Sequence, residues 1–496
     1  MFDRPLKILF VASEVVPFAK VGGLADVAGS LPKALAIGTE EQGNDVRVVL
    51  PHYKHIEGPE YLLDFPVLLA GKLRTCILRK GKLDAHHKGK AETIPVYFTA
   101  NYNYFHRDGI YAFEDDAERF AFFCFAVLEM LPRLGWQPDV IHCNDWQTGP
   151  IPLLLKTQYM SNPFYQKIAT VFTIHNLQYQ GNFPPETLEL FNLDEDYFVP
   201  ELLEFYGTFS FMKAGILYAD AINTVSKTYA KEIQTPALGE RMDGILRMRS
   251  KDVHGIINGI NYHEFDPATD PRIHRNYDVD NIDDKKENKF ALQKEMDLPF
   301  KDVPVLGVVS RLVSQKGFDL IDEIADELMH LDIQLVVLGT GDPYYQKVFE
   351  KLRQLYPKKV GVRIGFNAVL AQRIYAGADM FLMPSKFEPC GLGQLIAMRY
   401  GTVPIVRATG GLADTVTEFN PTTGSGNGFV FYEYNARELY AAIARALKLY
   451  RDNPDAWQRL VRKAMSMDFS WARSAVEYLQ LYRDAIAKSA AALRTA

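Results

Sequence analysis

Lys20-Val21-Gly22-Gly23 stands between an apolar run (residues 7–13) and a helical pattern over residues 23–36. Adjacent glycines at such a junction let backbone N–H groups approach an anion. The helix start favours negative charge, and Lys20 adds a mobile cation. A plain strand-to-helix turn with a solvated lysine leaves the same trace, and a bare glycine pair favours that simpler reading. The spacing is not G-x-G-x-x-G, so a dinucleotide fingerprint is absent. Asp145-Trp146 follows a second apolar run, residues 139–144. A carboxylate beside an indole suits a carbohydrate, the acid accepting hydroxyl hydrogen bonds while the ring packs on C–H groups. An Asp helix cap with a core Trp fits equally well. His175-Asn176 ends the run 169–175, with no second His or Cys at metal-ligand spacing.

Further along, Arg311 and Lys316 lie in one loop between the apolar run 303–310 and a helical pattern, with Gly317 at the turn. A planar bidentate guanidinium and a point-charge ammonium at this spacing can clamp a diphosphate, and this reading outweighs a merely solvated loop. Glu388-Pro389-Cys390-Gly391 follows the run 380–385 and precedes a helix near Leu392. A buried Glu there would bind sugar hydroxyls or steady positive charge at an anomeric carbon; otherwise it is a surface acid. Cys390 is a candidate small core residue. Gly410-Gly411 repeats the Gly22-Gly23 pattern at a later strand end, as a plain turn or a second phosphate contact.

These motifs need strands to end on. In the C-terminal half, runs at 303–310, 333–339, 360–366, 380–385 and 403–408 alternate with helical patterns, among them a single helix through residues 317–330. Short apolar strands between amphipathic helices predict a parallel sheet covered on both faces, a doubly wound Rossmann-like domain. The N-terminal half alternates similarly, with strands at 7–13, 45–51, 95–100, 139–144, 169–175 and 221–226 and helices at 23–36 and 117–131. A polar stretch near 266–290 separates the halves. The predicted division is residues 1–265, residues 266–470, and a final helix in 471–496. Ligands of such sheets sit beyond the carboxyl ends of the strands, here in a cleft between the two domains.

A chain of 496 residues holds more than one core. Apolar residues at 48%, aromatics at 12% and charged residues at 23% are ordinary globular proportions, which exclude disordered, collagen-like and disulfide-miniprotein classes. With 55 basic and 61 acidic residues the net charge is −6, so nucleic acid is not an expected partner. The four cysteines include no C-x-x-C pair, which suits a reducing compartment and argues against a zinc site. No run is long enough for a membrane span, and Ile8 to Ala12 reads as a strand rather than a leader. A cytoplasmic location is expected, or the plastid stroma if a transit peptide has been removed.

The ordered set of motifs resembles the glycogen and starch synthases of bacteria and plants. It comprises S-E-V-V-P-F-A-K from Ser13, K-V-G-G-L from Lys20, F-T-I-H-N-L from Phe172, S-R-L-x-x-Q-K-G from Ser310, F-E-P-C-G-L from Phe387 and T-G-G-L-A-D-T-V from Thr409. The resemblance runs from about Lys7 to the region of Trp471. It implies a GT-B fold, two Rossmann-like domains with a cleft between them, and a C-terminal helix that packs back on the N-terminal domain. It implies retaining transfer of glucose from ADP-glucose to the non-reducing end of an α-1,4-glucan (glycogen, starch or maltodextrin), releasing ADP, with no metal and no cofactor.

Residue by residue, the resemblance assigns Arg311 and Lys316 to the diphosphate, and Lys20 with Gly22 and Gly23 to the phosphate or glucose. Glu388 goes to the 3-OH side of the glucosyl unit, and His175 to the glucosyl unit through its backbone carbonyl. Asp145 goes to donor glucose or acceptor hydroxyls, with Trp146 and Asn176 nearby. Phe366 takes the adenine side, and Cys390, Gly391, Leu392 and Gly393 form the donor loop. Glu14 and Asp26 match acceptor-side or helix-start positions. Two departures stand out: Gly393 replaces the Thr or Asn of many members, and residues 37–44 lengthen a turn that is usually brief. The rival readings are another retaining GT-B transferase, one using UDP-glucose included, and a catalytically silent glucan-binding scaffold.

Overall fold

The structure, a computed structural model, describes residues 4–38, 43–87 and 90–495. Residues 39–42 of the lengthened turn lie outside the described residues. The chain divides into two compact units. Unit 1 comprises Met1–Val225, Ala230–Gly259 and Trp471–Ala496; unit 2 comprises Ser226–Tyr229 and Ile260–Ser470. Residues 260–265, expected in the first domain, therefore belong to unit 2. The backbone explains the shift: Ile260 N donates to Phe469 O at 2.8 Å, and the Tyr262 hydroxyl donates to Met467 O at 3.1 Å.

Unit 1 is built on a nine-stranded sheet. Its parallel part runs, in spatial order, Val253–Gly255, Ala221–Thr224, Ala169–Ile174, Val140–Asn144, Lys7–Val11, Asp45–Pro51 and Lys90–Ala100. Lys7–Val11 thus pairs with Asp45–Pro51 on one side and Val140–Asn144 on the other. Strand order reverses there, and in a doubly wound sheet that reversal opens a crevice at the carboxyl ends of the two strands. Glu14 follows one of these strands and Asp145 the other. Two antiparallel strands, Glu60–Leu69 and Lys72–His87, extend the sheet beyond the expected elements.

The helix Trp471–Thr495 belongs to unit 1. Its Tyr482 hydroxyl lies 2.8 Å from His142 Nδ1, and its Tyr478 hydroxyl accepts from Asn223 Nδ2 at 3.1 Å. His142 is fully buried, which holds its pKa well below the ordinary imidazole value.

Unit 2 holds a six-stranded parallel sheet in the order Val360–Ile364, Gln334–Gly339, Val305–Val309, Met380–Met383, Val403–Arg407 and Phe429–Phe431. Numbered along the chain this is 3-2-1-4-5-6, the Rossmann order, with the reversal between Val305–Val309 and Met380–Met383. The loops after those two strands carry Arg311, Lys316 and Glu388. The helix expected through 317–330 forms as two short ones, Phe318–Glu323 and Ala325–His330, because Ile324 leaves helical geometry at φ −101°, ψ 8°. Among the described residues, no helix is long and apolar enough to cross a membrane.

Candidate active site

In unit 1 the centre of the site is Glu14, whose residue is only 4% exposed. Its Oε2 accepts the Gly22 N–H at 2.8 Å and also the Val21 N–H, and its Oε1 accepts the Tyr111 hydroxyl at 2.6 Å. Two backbone donors of the glycine turn, those of Val21 and Gly22, therefore hold a carboxylate of the chain itself. The turn does bind an anion, as its position at a helix start dictates, and that anion is Glu14. Lys20 pairs with Asp26 at 2.6 Å on the exposed side of the same turn. A Cβ at Gly22 or Gly23 would meet nothing within 4 Å, so open space adjoins this backbone.

Asp145 leaves its strand with φ 57°, a left-handed conformation that costs a non-glycine residue free energy. The side chain does not cap the following turn, so the helix-cap reading fails. Its Oδ1 instead accepts the His175 backbone N–H at 2.7 Å. Burial raises the Asp145 pKa to about 7; N–H donors from His175 and Asn176 oppose that rise, and the Glu14 charge adds to it. His175 follows the strand next to that of Asp145. Asn144 donates its amide N–H groups to Val11 O at 3.0 Å and His142 O at 3.3 Å, which turns its Oδ1 towards His175 Nε2 at 2.9 Å. Nε2 must therefore carry the proton. Burial lowers the His175 pKa to about 3, so the ring is neutral and Nδ1 is an acceptor. Asn176 is committed locally, its Oδ1 accepting from Gln178 N at 3.0 Å.

Trp146 is held by aromatic packing. Its ring lies 5.1 Å from Phe120, 5.6 Å from Phe183 and 6.2 Å from Phe211. A Cβ at Gly181 would sit 2.4 Å from the indole, so protein backbone covers that ring. The indole is thus packed by protein on that side, while the residue as a whole stays half-buried.

In unit 2 the two switch-point loops are fastened together. Lys386 N donates to Gln315 O at 2.8 Å, and Gln315 Nε2 donates to Phe387 O at 3.2 Å. Gly317 has φ 72°, and a Cβ there would lie 2.0 Å from Pro384 O, so only glycine lets the loops approach. This approach brings Lys316 Nζ to 2.6 Å from Glu388 Oε2, which also accepts the Ser385 hydroxyl at 3.0 Å. An ammonium has three donors; Lys316 gives one to Glu388 and keeps two. The Arg311 side chain is exposed and makes no hydrogen bond or ion pair among the described residues. A solvated guanidinium with all five donors uncommitted, in the same loop as Lys316, suits a diphosphate.

Gly410 and Gly411 allow a close approach of backbone. Their Cβ positions would fall 1.9 Å from Glu388 O and 2.0 Å from Cys390 O, and Gly411 N donates to Glu388 O at 3.1 Å. The pair lets a neighbouring turn press on the Glu388 loop. Gln394 braces the same loop, donating to Cys390 O at 3.1 Å and Gly391 O at 3.0 Å. Cys390 is buried, while Leu392 and Gly393 are half-buried at the start of the helix Gly393–Arg399. A Cβ at Gly393 would approach Phe381 Cε1 at 3.0 Å, so Phe381 fills the space that a Thr or Asn would use. Phe366 is 85% exposed and offers a bare ring at the end of its strand.

Three residues of the site received no role from the motifs. Tyr111 lies in an irregular stretch with no periodicity, and Ser385 and Asn144 gain meaning only from their partners.

The starch synthase catalytic domain family matches residues 7–248, and the family of glycosyl transferases group 1 matches residues 290–464. A glycogen synthase of Desulforudis audaxviator is 68% identical over 490 residues, covering 98% of each chain. The chain belongs to the glycogen and starch synthase family. A second member, the glycogen synthase of Moorella thermoacetica, is 58% identical with 99% of each chain covered. The catalytic domain of starch synthase IV from Arabidopsis thaliana, solved with ADP and acarbose, superimposes with a TM-score of 0.88 at 34% identity, covering 98% of this chain and 100% of that one. The fold is therefore GT-B. A sucrose-phosphate synthase from Thermosynechococcus elongatus, at 21% identity and TM-score 0.58, shares the fold alone, with 97% of this chain and 99% of that one covered.

Proposed function

We propose that this chain is a retaining glucosyltransferase that extends α-1,4-glucan at its non-reducing end from ADP-glucose. The observation that carries the reading is the pair of switch-point loops in unit 2. An uncommitted Arg311 and a Lys316 with two free donors suit a diphosphate, and Glu388 stands beside them. The adenine nucleotide bound to the Arabidopsis relative supports ADP as the leaving group. Phe366, with its ring bare, is the proposed adenine neighbour, and the Gly391 to Gly393 turn the proposed wall of the donor loop.

In the proposed reaction the bond from the anomeric carbon to the β-phosphate oxygen breaks, and ADP departs with the electron pair. The acceptor 4-OH attacks the same face, and its proton passes to the departing phosphate oxygen. Negative charge gathers on the diphosphate as the bond breaks, so Arg311 and Lys316 act most strongly in the transition state. Glu388 orients Lys316 and faces the glucosyl hydroxyls. Asp145 and the His175 Nδ1 acceptor bind sugar hydroxyls, while the Glu14 hub and the Lys20–Asp26 pair set the turn beside them. No cofactor enters these steps. The four cysteines are free, which suits the reducing cytoplasm in which we place the reaction.

The test offers radiolabelled ADP-glucose and UDP-glucose, each with glycogen and with short maltodextrins. Label in ethanol-insoluble polymer from ADP-glucose is expected. Label from UDP-glucose alone refutes the donor, and retained glucan binding with no transfer from either identifies a silent scaffold.

A further inference from the structure

Arg119 is fully buried in the first turn of the helix Asp116–Arg133 and takes no part in the transfer steps above. Its guanidinium carbon lies 4.5 Å from the centroid of the Phe113 ring, 5.4 Å from Phe120 and 5.5 Å from Phe105, so aromatic rings surround it. Nη2 makes no hydrogen bond among the described residues. Burying such a cation costs about as much as its ion pair returns, and an apolar side chain of similar size fills such a space at less cost. Stability alone therefore does not account for an arginine here.

Its other donors all serve one loop. Nε donates to Tyr104 O at 2.7 Å and Nη1 to Ile110 O at 3.1 Å. Nη1 also pairs with Asp116 Oδ1, and Asp116 Oδ2 accepts the Ala112 N–H at 3.0 Å. One guanidinium–carboxylate pair thus grips the residues on either side of Tyr111. Residues 106–115 form neither helix nor strand. Within them Gly109 has φ 94° and Ala112 has φ 70°, the latter strained for a residue with a Cβ. Such a segment holds a side chain precisely only when its backbone is fastened by neighbours.

The fastened side chain reaches the site. The Tyr111 hydroxyl donates to Glu14 Oε1 at 2.6 Å and lies 2.8 Å from Ser13 Oγ. Burial and the Glu14 charge push the phenol well above its ordinary pKa, so it stays a donor at neutral pH. Glu14 Oε2 in turn holds the Val21 and Gly22 N–H groups, next to Lys20. A carboxylate held at both oxygens has one orientation. Held at one oxygen only, it can swing about its Cγ–Cδ bond, and the turn that hangs on it loosens.

We propose that Arg119 is a positioning residue for glucosyl transfer: it clamps the loop on both sides of Tyr111, whose hydroxyl orients Glu14 and so fixes the turn bearing Lys20. The effect on transfer rests on the proposed function; the clamp itself does not. The test compares wild type, Arg119→Lys, Tyr111→Phe and the double variant Arg119→Lys/Tyr111→Phe. Lysine keeps a charge for Asp116 but has no planar fork to span Tyr104 O and Ile110 O. Each single variant should lower kcat about tenfold, and the double variant should fall no further, because both changes cut the same chain of contacts. Hydrogen exchange at the Val21 and Gly22 amides, followed by mass spectrometry, should quicken in all three variants. Exchange in the strand Ala169–Ile174 should keep the wild-type rate. Asp116→Asn leaves the arginine in place and weakens the hold on Ala112, so its cycle with Tyr111→Phe repeats the comparison if Arg119→Lys folds poorly. An unchanged kcat, or unchanged exchange at the two amides, in folded Arg119→Lys overturns the proposal. So do losses that multiply in the double variant, or exchange quickened across the whole sheet, either of which would make the arginine a structural residue only. Exchange that still depends on Arg119 in a chain that transfers from no nucleotide sugar would defeat the proposed function and leave the clamp standing.

Discussion

Lys316 and Glu388 are 72 residues apart in sequence and 2.6 Å apart in the fold. The proposed function aims the lysine at charge that grows during bond breaking, so Lys316→Ala should lower kcat, raising the barrier by about 2–4 kcal/mol, as loss of an electrostatic donor does. Single-turnover transfer from the nucleotide sugar measures this, and an unchanged kcat with only a higher donor KM would defeat the role. Asp145 makes a different prediction. Burial lifts its pKa from 3.8 to about 7, so between those values the folded chain holds a proton that the unfolded chain releases. Its contribution to stability is complete below the lower value and is lost as pH rises through the upper one. Urea midpoints for Asp145→Asn should lack this component of the fall between about pH 4 and 7, and a wild-type curve matching the variant's would refute it.

The glycine turns and the last helix transmit structure to these residues. Gly410 has φ 46° and a hypothetical Cβ 1.9 Å from Glu388 O. Gly410→Ala should therefore displace the Glu388 loop, costing on the order of 1–3 kcal/mol of stability and lowering kcat as well. Denaturant melts and initial rates on the same preparation check both. Tyr482 offers a test without backbone strain. Tyr482→Phe leaves buried His142 Nδ1 without the hydroxyl at 2.8 Å, at a cost of about 1–3 kcal/mol. Chemical denaturation measures it, while transfer rates should hold.

Across the molecule, unit 1 is assembled from chain segments far apart in sequence, with Trp471–Ala496 closing it. Removing residues 471–496 strips partners from His142 and Asn223 and uncovers apolar side chains, whereas the unit 2 core keeps its own residues. Calorimetry of such a truncated chain should lose or markedly lower the unit 1 transition and retain one for unit 2. Loss of both together, or of neither, would contradict that division.

The parallel strands were legible because a strand buried on both faces is continuously apolar: Lys7–Val11 and Val305–Val309 stand out among polar neighbours. The antiparallel strand Glu60–Leu69 was not picked out, although Phe65, Val67 and Leu69 alternate with exposed residues, because a half-buried strand carries a weaker signal. Motif order also sufficed for the family, and Arg311, Lys316 and Glu388 drew notice because they follow the ends of strands. Local sequence could not decide what each side chain faces. Glu14 takes the glycine-turn N–H groups and Tyr111 joins it from 97 residues away. Trp146 packs under Gly181, and Gly410 serves the Glu388 loop. Each of these depends on which strands lie side by side, and strand order is set by burial over the whole sheet rather than by any short stretch of residues.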